Sequence, residues 1–163
     1  MLKILLGVAV VALSTIFGYI LANKYRLRRR FLGQFREFND RFINEITYYR
    51  RPIKEFLMTN TFEGVFQSLL EGYAQQLGGV SDGIAAFKMS DYSFLGENEK
   101  NDLLGYFSML GKGDSISQKA YFLSMRERLT KYETEAVLQG KKYENLYLEL
   151  GFLCGLFILI LII

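Results

Sequence analysis

FLGQFREFNDRFINEITYY, residues 31–49, places an apolar residue at every third or fourth position. Phe31, Phe35, Phe38, Phe42, Ile46 and Tyr49 follow one another at spacings of four, three, four, four and three. At 3.6 residues per turn these side chains fall on one stripe, while Arg36, Glu37, Asp40, Arg41 and Glu45 take the other faces. No proline precedes Pro52, so the spacing predicts a helix that runs to about Arg51. Nowhere does apolar and polar character alternate with a period of two for long enough to suggest a sheet. The expected fold class is all-α.

Working upstream, the helix enters an uncharged run, Ile4–Ala22, bordered by Lys3 and by Asn23-Lys24. A helix crossing the hydrocarbon core needs ~20 apolar residues, and this run supplies that length. It is longer than the apolar part of a secretory leader, and Ile20-Leu21-Ala22 is a poor cleavage site, so a retained anchor is expected. Working downstream, a second uncharged run, Leu150–Ile163, has no polar face. Its fourteen residues are short for a span. Adding Leu146, Tyr147 and Leu148 lengthens it, with Glu149 near the interface and its carboxylate reaching water. The expected organisation is a transmembrane helix over residues 1–23, a helical bundle over 24–148 and a second transmembrane helix over 149–163.

Charge sets the orientation. Lys24, Arg26, Arg28, Arg29 and Arg30 flank the first run on one side, against Lys3 and the amino terminus on the other. Basic residues collect on the cytoplasmic side, which predicts a cytoplasmic middle and both termini outside; Lys141 and Lys142 agree. The same five residues suit anionic lipid headgroups. Small residues four apart (Ser14, Gly18 and Ala22 in one run, Gly151 and Gly155 in the other) let helix backbones approach closely.

Between the runs, about six helices are expected in all. Pro52 opens a short helix to about Met58. Thr59-Asn60-Thr61 reads as a cap for a third helix, Phe62–Gln75, burying Phe62, Val65, Phe66, Leu69, Leu70 and Tyr73. Ser81 starts a fourth to about Met89, with Ile84 and Phe87 inward, and residues 90–96 form a loop. A fifth, Glu97–Leu110, carries acids at its positive end and buries Leu103, Leu104, Phe107 and Leu110. After Gly111-Lys112-Gly113-Asp114, capped by Asp114 or Ser115, the last helix meets no breaker stronger than Gly140.

Several chemistries are disfavoured by composition. The chain has no histidine and one cysteine, Cys154. The imidazole of nucleophilic triads and the commonest zinc ligand are therefore missing, and no intramolecular disulfide can form. Gly105…Gly111-Lys112-Gly113-Asp114-Ser115 is a distant match to a phosphate loop, with five residues between its glycines where four are needed. Glu97, Glu99 and Asp102 read as a solvated helix turn. The aromatics, 14 Phe and 11 Tyr, fall mostly on helical stripes and are read as core. No cofactor, metal, nucleic acid or catalytic residue is expected.

In its details the chain resembles the stage III sporulation protein AB family. The opening Met1-Leu2-Lys3, its apolar run and the basic stretch are similar to that family's start. Glu45-Ile46-x-Tyr48 followed by Pro52-Ile53 resembles one internal signature, and Leu110-Gly111-x-x-Asp114 with Gln118 resembles another. Leu150-Gly151-Phe152-Leu153-x-Gly155-Leu156 is close to the family's ending. Two departures stand out: Tyr106-Phe107 replaces a Phe-Gly pair, and Phe87 falls where a tryptophan is common.

The resemblance implies a soluble domain similar to the cytoplasmic domain of the type II secretion F protein. It also implies a place in a secretion-like channel complex between mother cell and forespore, in the outer forespore membrane. By that analogy the chain is expected to be a membrane platform for an assembly ATPase, the stage III sporulation protein AA, and for other channel membrane proteins; membrane lipids and further copies of the chain, as a homo-oligomer, are the other candidate partners. The alternative is a membrane-bound helical signalling sensor or adaptor, which the basic flank opposes by placing the middle inside.

Overall fold

A computed structural model of the chain describes residues 2–49, 51–77, 89–110 and 115–162. Among these it is helical, with no strand. Five α-helices occur: α1 (Leu2–Asn44), α2 (Ile53–Thr59), α3 (Gly64–Gln76), α4 (Glu97–Met109) and α5 (Ser115–Ile162). The expected fourth of six helices, with Ser81, Ile84 and Phe87, lies outside the described residues. So do Gly111, Lys112, Gly113 and Asp114. Only Met89 of the former is described, where it opens a 3₁₀ turn, Met89–Tyr92, inside the expected loop.

The first helix does not continue to Arg51 as an α-helix. After Asn44 it widens into one π-helical turn, Glu45–Tyr49. Such a turn holds one extra residue and shifts the phase of everything after it. Ile46 is accordingly half-buried and Tyr49 is exposed, although both were expected on the buried stripe. Pro52 then supplies the carbonyl that accepts from Glu55 N–H (3.0 Å) and Phe56 N–H (3.1 Å), starting α2.

Thr59-Asn60-Thr61 also acts differently from the reading above. The Asn60 side-chain amide donates to the Phe56 carbonyl at 2.9 Å, and Thr59 donates to Glu55 O at 2.5 Å, so these residues finish α2. The start of α3 is held by Gln67, whose Oε1 accepts the Phe62 N–H at 2.8 Å. Gly64 opens that helix at φ +59°, a left-handed conformation that glycine adopts without a Cβ clash. At α4, the Glu99 carboxylate reaches back to accept the Gly96 N–H at 2.8 Å.

By compactness the chain divides into two units: Met1–Arg29 with Thr134–Ile163, and Arg30–Glu133. α1 and α5 supply residues to both. The second unit has an aromatic core. Phe31, Phe35, Phe38 and Phe42 of α1 are buried together with Phe56, Phe66, Tyr106, Phe107 and Phe122. Their rings meet mainly edge to face, as for Phe35 with Tyr106 (centroids 4.9 Å) and Phe42 with Phe122 (4.9 Å), the arrangement aromatic quadrupoles favour. On α4 the buried residues are Glu99, read from the sequence as solvated, with Leu103, Tyr106, Phe107 and the capping Leu110; Leu104 is only half-buried and Tyr106 takes the deep position.

Two polar groups in this core were not foreseen. Asn39 is fully buried and donates its amide to the Phe122 carbonyl at 3.1 Å, yet its Oδ1 has no partner among the described residues. Tyr106 is fully buried too, and its hydroxyl is likewise unpartnered. Burial pushes that phenol well above its ordinary range, so it stays neutral.

The first unit is a pair of long helices. α5 contains an 18-residue stretch of mean hydropathy 1.7, of which 6% is buried within the chain, long and apolar enough to cross a membrane. On α1, the large side chains Leu13, Ile16, Phe17, Ile20 and Leu21 are also exposed.

Candidate functional site: a close-packed helix pair with a basic collar

The small residues of α1 and α5 meet. A Cβ built on Gly18 would lie 2.5 Å from the Tyr147 carbonyl oxygen and 3.2 Å from Gly151 Cα. One on Gly151 would lie 2.9 Å from Ser14 O and 3.1 Å from Gly18 Cα, and one on Gly155 would lie 2.8 Å from Val11 Cα. These neighbours are backbone atoms, which cannot swing away. The Ser14 hydroxyl crosses the gap and donates to the Gly151 carbonyl at 2.6 Å, a bond that needs glycine there to let the oxygen be approached. Ala22, at the end of the α1 stripe, is fully buried.

Beyond Ala22 the pair is held by rings and charges. Tyr25 stacks on Tyr143 (5.2 Å) and on Tyr147 (5.8 Å). Burial, followed by a hydrogen bond with Tyr147, pushes the Tyr25 phenol up. Glu144 receives Arg29 at 3.1 Å and Arg26 at 3.8 Å, and Gln139 accepts from Arg28 at 2.6 Å. The guanidinium of Arg26 also lies over the Tyr19 ring, and the Lys142 ammonium over that of Tyr143.

The five basic residues grouped by sequence thus have different environments. Arg26, Arg28 and Arg29 are drawn inward onto α5, whereas Lys24 is exposed. Arg30, also exposed, belongs to the second unit. Glu144 and Gln139 were not singled out from the sequence, because nothing in a lone acid or amide signals which distant arginine it will meet. Over the whole chain, the first unit holds seven basic and three acidic residues and the second thirteen and fourteen. All of the positive excess therefore lies in the unit that carries the apolar runs.

The remaining signature residues lie in the second unit. Glu45 is buried inside the π turn, where its carboxylate accepts the Arg51 N–H (3.1 Å) and both ends of the Arg51 guanidinium (2.9 and 2.5 Å). The hydrogen bond from the Arg51 side chain holds the Glu45 carboxyl below the usual carboxylate range, against the opposing pull of burial. This closed ion pair faces Tyr48 and Tyr49 outward, both largely exposed, and precedes Pro52. Leu110 is buried, and its carbonyl and that of Phe107 lie 3.4 and 3.2 Å from the Tyr73 hydroxyl. Gln118 is buried on α5. Gly111 and Asp114, the middle of that signature, are outside the described residues.

A third polar group joins α4 to α5: Asp102 accepts from Arg128 (2.8 Å) and from the Tyr132 hydroxyl (2.9 Å). Burial and that hydrogen bond push the Tyr132 phenol up to about 12. With both of its oxygens occupied, Asp102 is an anchor for the two helices. Among the described residues no group of three or more metal-ligating side chains comes together.

The stage III sporulation protein AB family profile matches residues 3–163. The chain belongs to that family. It is therefore a sporulation protein, and the family expectation drawn from its two internal signatures and its ends extends over the whole length. None of the curated proteins and none of the solved structures compared with it matches.

Proposed function

We propose that the chain is a membrane platform in a secretion-like channel complex between mother cell and forespore. In this reading both apolar runs cross the outer forespore membrane, both termini lie outside, and the helical middle faces the mother-cell cytoplasm. There it docks an assembly ATPase like stage III sporulation protein AA. The observation that carries the reading is the α1–α5 pair, glycine-packed along its apolar length and collared by arginines and lysines where that length ends. Family membership supplies the sporulation context.

The collar supports the orientation, since basic residues flanking a span collect on the cytoplasmic side. It also divides the labour. Arg26, Arg28 and Arg29 hold the two helices together, leaving Lys24, Lys141 and Lys142 exposed towards anionic headgroups. The role is structural coupling, with no catalysis by this chain.

Two experiments test it. A reporter fused at residue 90 is expected to be active only on the cytoplasmic side; activity outside would favour the sensor reading. Photocrosslinkers at the exposed Tyr48 and Met58 in sporulating cells are expected to capture the ATPase or a channel component. Recovery of neither would refute the platform.

A further inference from the structure

The contacts of α1 with α5 define a register. Val11 faces Gly155, Ser14 faces Gly151, and Gly18 lies between Tyr147 and Gly151. Each step along one helix is matched by an equal step back along the other. Gly18 therefore stands abreast of Glu149, midway between its two contacts. Gly18 is four residues inside Ala22, the last residue of the apolar run, so the Glu149 backbone sits about 6 Å deeper than the end of that run. The short second run is thus completed by Leu146, Tyr147 and Leu148, and an acid lies within it.

Glu149 is exposed, on the outward side of the pair. Its neighbours on that side, three, four and eight residues away, are Leu146, Leu153 and Phe157, also exposed. Among the described residues it has no hydrogen-bond or ion-pair partner. The nearby cations are turned elsewhere: Arg26 and Arg29 to Glu144, Arg28 to Gln139, Lys142 to Tyr143. Lys24 is six residues further out than Gly18, about 9 Å along the axis. An ionisable side chain at membrane depth is expensive to leave alone and marks a pathway or a partner.

We infer that Glu149 is the recognition point for a second membrane protein, one whose spanning helix carries a lysine or arginine at the same depth. The outward apolar stripe supplies the packing surface, and the carboxylate supplies the one polar contact that selects the partner and fixes its depth. The choice of a basic partner follows from charge complementarity. This rests on the reading of both apolar runs as membrane helices, and goes beyond it in naming the residue and the chemistry of the partner.

The test uses the full chain reconstituted in phosphatidylglycerol–phosphatidylcholine vesicles with synthetic leucine–alanine transmembrane helices as probes. The chain has no tryptophan, so one tryptophan on the probe accepts energy from Tyr25, Tyr143 and Tyr147 and reports pairing. A probe with a single lysine at the depth of Glu149 is expected to bind about ten-fold more tightly than an all-apolar probe, the gain of one good interhelical polar contact. Glu149→Leu is expected to abolish that preference, and Glu149→Lys to transfer it to a glutamate probe. Equal binding of both probes by the native chain, or a preference surviving Glu149→Leu, overturns the inference. So does loss of self-association in Glu149→Leu without any lysine-probe preference, which assigns the carboxylate to a second copy. Cys154 separates the two levels of failure: its modification by a membrane-impermeant maleimide refutes the spanning reading itself, whereas a shielded Cys154 with no lysine preference refutes only this inference.

Discussion

Replacing Gly18 by alanine tests the helix pair at its closest backbone approach. The new Cβ would lie 2.5 Å from the Tyr147 carbonyl oxygen, whereas ordinary contact begins at 3.4 Å. Because the obstacle is backbone, the helices must part locally by about 0.9 Å, a gap that forfeits a quarter to a half of each dispersion contact along the seam. The Ser14–Gly151 hydrogen bond, now 2.6 Å, stretches with it; an interhelical bond of this kind is worth about 0.6 kcal/mol on average and at most about 1.7. Overpacking of this size costs about 1–3 kcal/mol, so Gly18→Ala is expected to destabilise the pair by about 2 kcal/mol. Gly155→Ala and Gly151→Ala, with clashes at 2.8 and 2.9 Å, should cost somewhat less. Gly7→Ala is the control. Its Cβ would lie 2.1 Å from Leu159 Cδ1 and 3.5 Å from Leu159 Cγ, atoms of a flexible side chain that can turn aside, so Gly7→Ala should cost clearly less than Gly18→Ala.

The double variant sharpens the test. Gly18 and Gly151 fill the same gap from opposite sides, so once one alanine has parted the helices the second adds little. The two effects should therefore sum to less than their parts by at least about 0.5 kcal/mol. The measurement is equilibrium unfolding of the purified chain in mixed micelles with rising dodecyl sulfate, followed by the near-ultraviolet dichroism of the Tyr25–Tyr143–Tyr147 stack. If Gly18→Ala unfolds with Gly7→Ala, or if Gly18→Ala and Gly151→Ala add fully, the close approach is refuted.

Other outcomes are expected of the second unit. Tyr106→Phe removes a buried hydroxyl with no partner among the described residues and should stabilise the chain by about 1 kcal/mol, read as a raised denaturation midpoint; a loss of stability would show that the hydroxyl is satisfied. Glu45→Gln should destabilise at pH 7. Because the folded Glu45 carboxyl titrates below the ordinary ~4.3, its contribution is complete above that value and disappears as pH falls through the lowered one. The gap between native and variant should thus stay constant from pH 7 to about 5 and close below it; a gap that closes above pH 6 refutes the ion pair. Tyr132 works in the opposite direction. With its phenol raised from ~10 to about 12, the folded chain holds that proton longer, and the resulting stability is lost as pH rises through this interval. Tyr132→Phe should flatten that alkaline loss.

The legible part of the fold was what local periodicity encodes. Phe31, Phe35, Phe38 and Phe42 could be placed on one buried stripe because their spacing matches the helix, and Pro52 gave a helix boundary by its backbone chemistry, whereas α5 runs unbroken through Gly140. The stripe failed at Ile46 and Tyr49, where the π turn adds a residue per turn. That turn is held by Glu45 and Arg51, six residues apart, a pairing no periodic template contains. Thr59 and Asn60 were misread because a capping side chain can serve the helix behind it as readily as the one ahead. Asn39 and Tyr106 reached the centre of the core through their helix faces, despite their polar groups.

For the site, the sequence by itself determined the two apolar runs, the small residues at four-residue spacing, the basic collar and the family signatures, since each is a property of composition or of neighbours in the chain. Only the tertiary structure decided which residues meet across α1 and α5. Residues more than a hundred positions apart share a register that no local interaction specifies, so the pairing of Arg26 and Arg29 with Glu144 and the seat of Ser14 on Gly151 could not be read beforehand. That register also set Glu149, which local sequence places at the edge of the second run, at the level of Gly18, four residues inside the end of the first.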